Sequence, residues 1–214
     1  MPFPGTDTPG IFCAVPMTKQ VILFDNYDSF TYNLLHLLKT VRPGYRFDVF
    51  RNRDRTIIQE IPDALVVGPG PMTPAETGLL QQYFELVVEK KQIPVFGVCL
   101  GMQFLAWREG IKVTRSTLPA HGAATIVKHQ QNDIFKGVSS HFEGARYNSL
   151  EIQSHVVLGA KKHDLLAVAP ENNAVMALRH KYKPWVGVQF HPESFLTTQG
   201  ALVIDNFFKQ YVEV

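Results

Sequence analysis

Cysteine is nearly absent: Cys13 and Cys99 are the two thiols in 214 residues, too few and too far apart for a disulfide framework in a domain of this size. A reducing compartment, the cytoplasm, is the expected home. A surplus of one charge is missing as well. Lys+Arg 21 against Asp+Glu 19 leave a formal charge of +2, which excludes the single-sign field that would point to nucleic acid or a membrane surface. Small molecules and proteins are the expected partners. There is no long hydrophobic run: the stretch from Ile93 to Trp107 is broken by Pro94, Gly97, Gly101 and Gln103, and it falls short of the roughly 20 residues a spanning helix needs. The first sixteen residues hold Pro2, Pro4, Pro9 and Pro16 and no Lys or Arg, so they lack the basic start and apolar centre of a signal peptide. Residues 1–19 read as a flexible extension, and Met17 is the expected start of the native chain, because ordered patterning begins there.

What is present is enough apolar residue to build a core. Hydrophobic residues make up 45% and charged residues 19%, which excludes a disordered chain. No repeat, low-complexity tract or linker divides residues 20–214, so one domain is expected. Val21-Ile22-Leu23-Phe24 is a short β-prone run, and Phe30, Leu34, Leu35, Leu37 and Leu38 follow at helical spacing. Arg46 to Phe50 and Ala64 to Val67 read as further strands, the latter entering the turn Gly68-Pro69-Gly70-Pro71. Thr73-Pro74-Ala75-Glu76 carries a capping hydroxyl, a proline at the first helical position and a glutamate three after the cap. It predicts one helix running on through Leu79, Leu80, Tyr83, Phe84, Val87 and Val88. Pro94 to Val98 is a buried-type strand and Leu100 to Trp107 a helix. Strands alternating with helices in this way predict an α/β fold, a parallel sheet with helices on both faces. From Lys112 onward short strands take over (Ala124 to Lys128, Leu165 to Ala169, Val175 to Arg179, Val186 to Phe190), and a last helix carries Leu202, Val203, Phe207, Phe208 and Tyr211.

Gly97-Val98-Cys99-Leu100-Gly101 sets a thiol between two glycines where a strand turns into a helix, the layout of a nucleophile elbow with sulfur in place of oxygen. Side chains two residues either way would clash in so sharp a turn, and the helix start favours the thiolate. Taken alone, a cysteine in an apolar run is more often an inert core residue; the elbow favours the nucleophile. A base is available in Gln189-Phe190-His191-Pro192-Glu193-Ser194, after the last apolar strand. If strand geometry persists there, Glu193 shares a face with His191 and can fix its tautomer. His36, His121, His129, His141, His155, His163 and His180 read as surface or capping residues, and no pair has metal-ligand spacing, so no metal site is expected. Oxyanion donors are at hand in the backbone N–H of Leu100 and of Gly70, since the prolines beside Gly70 have none. By itself, the Gly-Pro tetrapeptide is an ordinary turn.

These residues together resemble the class I glutamine amidotransferases, whose cysteine, histidine and glutamate triad matches Cys99, His191 and Glu193. The resemblance covers Val21 to the C-terminus and implies a flavodoxin-like, open mixed, largely parallel sheet. Phe24-Asp25-Asn26-Tyr27-Asp28-Ser29-Phe30-Thr31-Tyr32-Asn33-Leu34, Gly70-Pro71-Met72-Thr73-Pro74, Arg146-Tyr147-Asn148-Ser149-Leu150 and Gly187 to Ser194 are similar to the small subunits of chorismate-using synthases. Those subunits are anthranilate synthase component II and the aminodeoxychorismate (para-aminobenzoate) synthase glutaminase. The resemblance implies L-glutamine as substrate, a glutamyl thioester on Cys99, and ammonia passed to a chorismate-binding large subunit in a heteromer. It implies glutamine binding by Gly70, Pro71, Met72, Gln103, Ser149 and Leu150, and no cofactor for this half-reaction. It leaves open tryptophan or folate synthesis, or both. Another acceptor synthase and a catalytically silent regulatory subunit are the competing readings, the first disfavoured by the Asp25-to-Leu34 block and the second by the intact triad. The sequence departs from the family at Asn148, usually histidine, at Ala123, usually lysine, and at Gly68, commonly serine.

Overall fold

The computed structural model describes residues 18–214. The expectations for Met17 and for most of the 1–19 extension lie outside them. Strand β1 (Gln20–Asp25), helix α1 (Thr31–Val41), β2 (Arg46–Arg51) and β3 (Ala64–Val67) open the chain. Next come α2 (Leu80–Tyr83), a π-helical turn (Phe84–Val88) and α3 (Glu89–Lys91), which together make one continuous helical rod. Then follow β4 (Val95–Val98), α4 (Leu100–Arg108), β5 (Thr114–Arg115), β6 (Ala123–His129), β7 (His141–Arg146), β8 (Leu150–Glu151) and α5 (Ser154–Leu158). β9 (His163–Ala169), β10 (Ala174–His180), β11 (Trp185–Val188) and α6 (Gly200–Phe207) complete the order.

Nine strands form one sheet in the order β2-β1-β3-β4-β11-β10-β9-β6-β7. The first five are mutually parallel, and the last four extend the sheet by antiparallel pairing. The central strands β3, β4 and β11 are buried along their whole length, as a parallel sheet covered on both faces requires. Alternation within β1 divides the core. Val21 and Leu23 pack with Leu34 and Leu38 of α1 and Val203, Ile204 and Phe207 of α6. Ile22 and Phe24 pack on the opposite face with Tyr83, Phe84, Phe104 and Trp185. β6 instead alternates exposed and buried residues, so the antiparallel wing leaves one face open to water.

The helix predicted from Thr73 is interrupted. Thr73 and Glu76 form the expected capping box, but on a single 3-10 turn, Pro74–Glu76. Gly78 then takes φ +60, and its missing Cβ leaves room for the Asn52 carbonyl, which would lie 2.3 Å away; the Leu79 N–H donates to that same carbonyl. Docking onto the end of β2 thus breaks the helix, which restarts at Leu80. The last predicted strand also ends early, at Val188 rather than Phe190. β7 and α5 carry no strong periodic signal and were not expected.

Candidate functional site

The parallel strands end on a common edge, and there β4 turns into α4 through Cys99, whose backbone holds φ 53 and ψ −103. A non-glycine residue with positive φ is costly and persists when its surroundings demand it. Here the Cys99 N–H donates to Val188 O of β11 at 2.8 Å, and α4 starts at the next residue. The flanking glycines are obligatory, as expected. A Cβ on Gly97 would lie 2.6 Å from the Gly101 carbonyl carbon, and one on Gly101 would lie 2.2 Å from Val67 O.

His191 sits beyond the end of β11, fixed by its N–H on Ala145 O at 2.9 Å and by the Thr197 hydroxyl donating to its carbonyl at 2.8 Å. Its Nδ1 is 2.7 Å from Glu193 Oε1, and both side chains are buried. Residues 191–194 form a turn closed by Ser194 N–H on His191 O, not the strand the sequence predicts. A turn brings i and i+2 together as a strand face would. With Nδ1 facing a carboxylate, that nitrogen carries the proton, and Nε2, buried without a partner, is the one left for chemistry. Burial opposes the imidazolium, but the Cys99 thiol and Glu193 outweigh it and hold the His191 pKa above its ordinary value. Phe30 and Tyr147 pack edge-on against the ring, with centroids 5.6 and 4.9 Å away.

In front of Cys99 opens a cleft of about 600 Å³ lined by Gly70, Pro71, Met72, Gln103, Ser149 and Leu150, along with Glu76, Arg115, Tyr147 and Asn148. All six expected binding residues line it. Leu100 lies alongside rather than in the wall. A Cβ on Gly70 would come within 2.8 Å of Leu100 Cδ2 and 2.6 Å of Asn26 Cβ, so the loop backbone rests directly on the start of α4. As first residue of the helix, Leu100 has no helical partner for its N–H.

The sequence reading assigned no structural role to several residues in and around the site. Buried Asn26 donates to Gly68 O at 3.1 Å and anchors the Gly68-to-Pro71 loop. Glu151 is buried and receives the Ser116 hydroxyl, the Thr117 N–H and the side chains of Gln153 and Asn172. Burial would raise its pKa, but these donors win and lower it. Buried Arg146 donates to Asn148 Oδ1 at 3.0 Å, and Asn148 Nδ2 donates to Leu150 O at 2.8 Å. Asn148 thus braces the cleft wall at Leu150. Gln189 donates to Cys99 Sγ at 3.4 Å. His129, His163 and His180, read as surface or capping residues, are buried. His180 Nδ1 does accept the Tyr182 and Lys183 N–H groups, a capping role carried out inside the protein.

Residues 22–211 match the family model described as glutamine amidotransferase class-I. The chain is 38% identical to anthranilate synthase component 2 of Thermus thermophilus, the match covering 88% of this chain and 91% of that protein. It is 39% identical to anthranilate synthase beta subunit 2, chloroplastic, of rice, Oryza sativa, over 90% and 71% of the two chains. Aminodeoxychorismate synthase of Streptomyces griseus is also 39% identical over 88% of this chain, which spans 25% of that longer protein. The solved structure of a glutamine amidotransferase from Thermotoga maritima superposes with TM-score 0.69 at 16% identity, covering 92% of this chain and 99% of that one, and shares the fold.

Proposed function

The chain belongs to the class I glutamine amidotransferase family, and from that premise we propose that it hydrolyses L-glutamine on Cys99 and delivers the ammonia to a chorismate-binding synthase subunit. The observation that carries the reading is the strained Cys99 at the head of α4, close enough to the Glu193-held His191 to raise its pKa, with a cleft before it that has room for an amino acid. The Cys99 thiolate attacks the side-chain amide carbon, and the C–S bond forms as the carbonyl π pair moves onto oxygen. The N–H groups of Leu100 and Gly70 receive that oxyanion. His191 Nε2–H gives its proton to the departing nitrogen, the C–N bond breaks, and ammonia leaves a glutamyl thioester. His191 then takes a proton from water, the hydroxide oxygen attacks the thioester, and glutamate departs as the thiolate is restored. Glu193 orients the ring and stabilises its charge.

Gln103 uses both Nε2 hydrogens inside the protein, on Leu150 O and Gln189 Oε1. It therefore offers the cleft only its carbonyl oxygen, an acceptor for substrate N–H. The Gly70, Pro71 and Met72 loop and the backbone of Ser149 and Leu150 supply the remaining contacts. Among the described residues no helix is long and apolar enough to cross a membrane, and a cytoplasmic location accords with the scarcity of cysteine. Relatives named for anthranilate and aminodeoxychorismate synthesis support a chorismate-aminating recipient.

The test mixes the purified chain, glutamine and chorismate with each candidate large subunit and identifies the product. Anthranilate or aminodeoxychorismate is expected. Cys99→Ala should abolish synthesis from glutamine and preserve synthesis from ammonium salts, because ammonia generation alone needs the thiol. Equal loss with both nitrogen sources, or no product from either subunit while ammonium controls work, would refute the reading.

A further inference from the structure

Gln189 follows β11 with 0% exposure, and its backbone N–H is pinned to Met176 O of β10 at 2.9 Å. A fully buried amide beside a nucleophile must have its donors and acceptor placed. The direction of this one is determined by a backbone group. Leu150 O can only accept, so Gln103, 3.0 Å away, must present Nε2 to it. The second hydrogen of that nitrogen points at Gln189 Oε1, 2.9 Å away. Gln189 must then accept with its oxygen, and its Nε2–H is left facing Cys99 Sγ at 3.4 Å. Asn148 Nδ2, 2.8 Å from the same Leu150 carbonyl, braces the far end of the chain.

We infer that Gln189 is a further catalytic residue, whose amide donates a hydrogen bond to the Cys99 sulfur in its charged, attacking state, with its polarity dictated by Gln103 and Leu150. An N–H bond to a charged acceptor is about twice as strong as one to a neutral group, so the contact favours thiolate over thiol. The bond weakens when sulfur becomes a neutral thioester and is regained when the thiolate leaves, which assists the second half of the cycle. This inference rests on Cys99 being the nucleophile proposed above.

The test measures alkylation of Cys99 by iodoacetamide from pH 6 to 10, read on the Cys99 peptide by mass spectrometry in the full chain. Gln189→Met keeps length and volume without a donor, and Gln189→Glu places an acceptor of like charge beside the sulfur. At pH 7 the rate should fall about tenfold in the methionine variant, the loss of one hydrogen bond to a charged group, and further in the glutamate variant. The rates should converge with wild type near pH 10. Gln103→Met, which leaves Gln189 in place but frees it to flip, should show a smaller drop of the same form, and it serves if the Gln189 variants do not fold. A pH profile identical to wild type in folded variants would overturn the inference. Wild-type protein treated with a diazoketone glutamine mimic separates the two claims. Labelling at Cys99 with unchanged variant profiles refutes the role of Gln189 alone, whereas no labelling refutes the glutaminase reading and this inference with it.

Discussion

At the scale of the residue, the site gives the two nitrogens of His191 unlike surroundings. Nδ1 is held 2.7 Å from a buried carboxylate, while Nε2 is buried without a hydrogen-bond partner. The carboxylate and the thiol keep the ring's pKa above ordinary despite burial, so the imidazolium that the proposed mechanism calls on as proton donor is favoured at neutral pH. Under the proposed mechanism, removing the ring removes the proton carrier, whereas neutralising the carboxylate removes orientation and charge but leaves the carrier. His191→Ala should therefore cost glutaminase turnover more than Glu193→Gln, by roughly tenfold or more, the ordering found when base and orienting acid are deleted separately in a triad. Steady-state turnover with the synthase subunit present checks this. Equal losses would mean that Glu193 does more than orient and stabilise the ring.

The elements explain why a sharp turn can be held at all. α4 lies so close to β3 that Gly101 rests on the Val67 carbonyl, where a Cβ would come within 2.2 Å. Replacing a helical glycine by alanine ordinarily stabilises by about 1 kcal/mol. Here Gly101→Ala should instead destabilise by about 1–3 kcal/mol, the usual cost of overpacking, and displace Cys99 enough to lose activity. Gly44→Ala, where a Cβ meets nothing within 4 Å, is the control expected to leave both unchanged. Thermal melts and glutaminase assays distinguish them, and a stable, active Gly101→Ala would show that α4 tolerates a shift from the sheet. The same closeness made this region legible in the sequence, because only glycines flank a thiol in such a turn and the strands beneath are unbroken apolar runs. Elsewhere tertiary contacts overrode local pattern. The helix after Thr73 reads as one unit until Gly78 docks on Asn52, and β7, whose buried positions Phe142, Gly144, Ala145 and Arg146 include a single large apolar side chain, offers too weak an alternation to find. Gln189 sat within a quoted motif, yet a buried amide has no periodic signature; its meaning comes from Gln103 and Leu150, distant in sequence.

Across the whole molecule, stability depends on pH through groups far from the chemistry. His163 and His180 stack edge-to-face with centroids 5.0 Å apart, both buried. Burial first, then the neighbouring His180, press the His163 pKa down to about 4, although Glu109 and Asp164 pull the other way. His180 and His129 are also lowered, chiefly by burial. A histidine kept neutral in the folded state binds fewer protons than its unfolded counterpart between pH 6.5 and 4. Its contribution is therefore intact above pH 6.5 and lost as the pH falls through that window. For His163, about 2 kcal/mol should disappear between pH 6.5 and 5. Glu109, whose ion pairs with Lys162 and Lys183 outweigh burial and hold it at about 2, does not begin to matter until the pH nears the ordinary glutamate value. His191, held protonated, is charged throughout the window and adds little slope. Urea unfolding at pH 6.5, 6, 5.5 and 5 should show the wild-type free energy falling more steeply than that of His163→Phe, which keeps the ring packing without the titrating nitrogen. Parallel losses in the two proteins would show that His163 is not the group being charged, and would shift the acid sensitivity to His129 and His180.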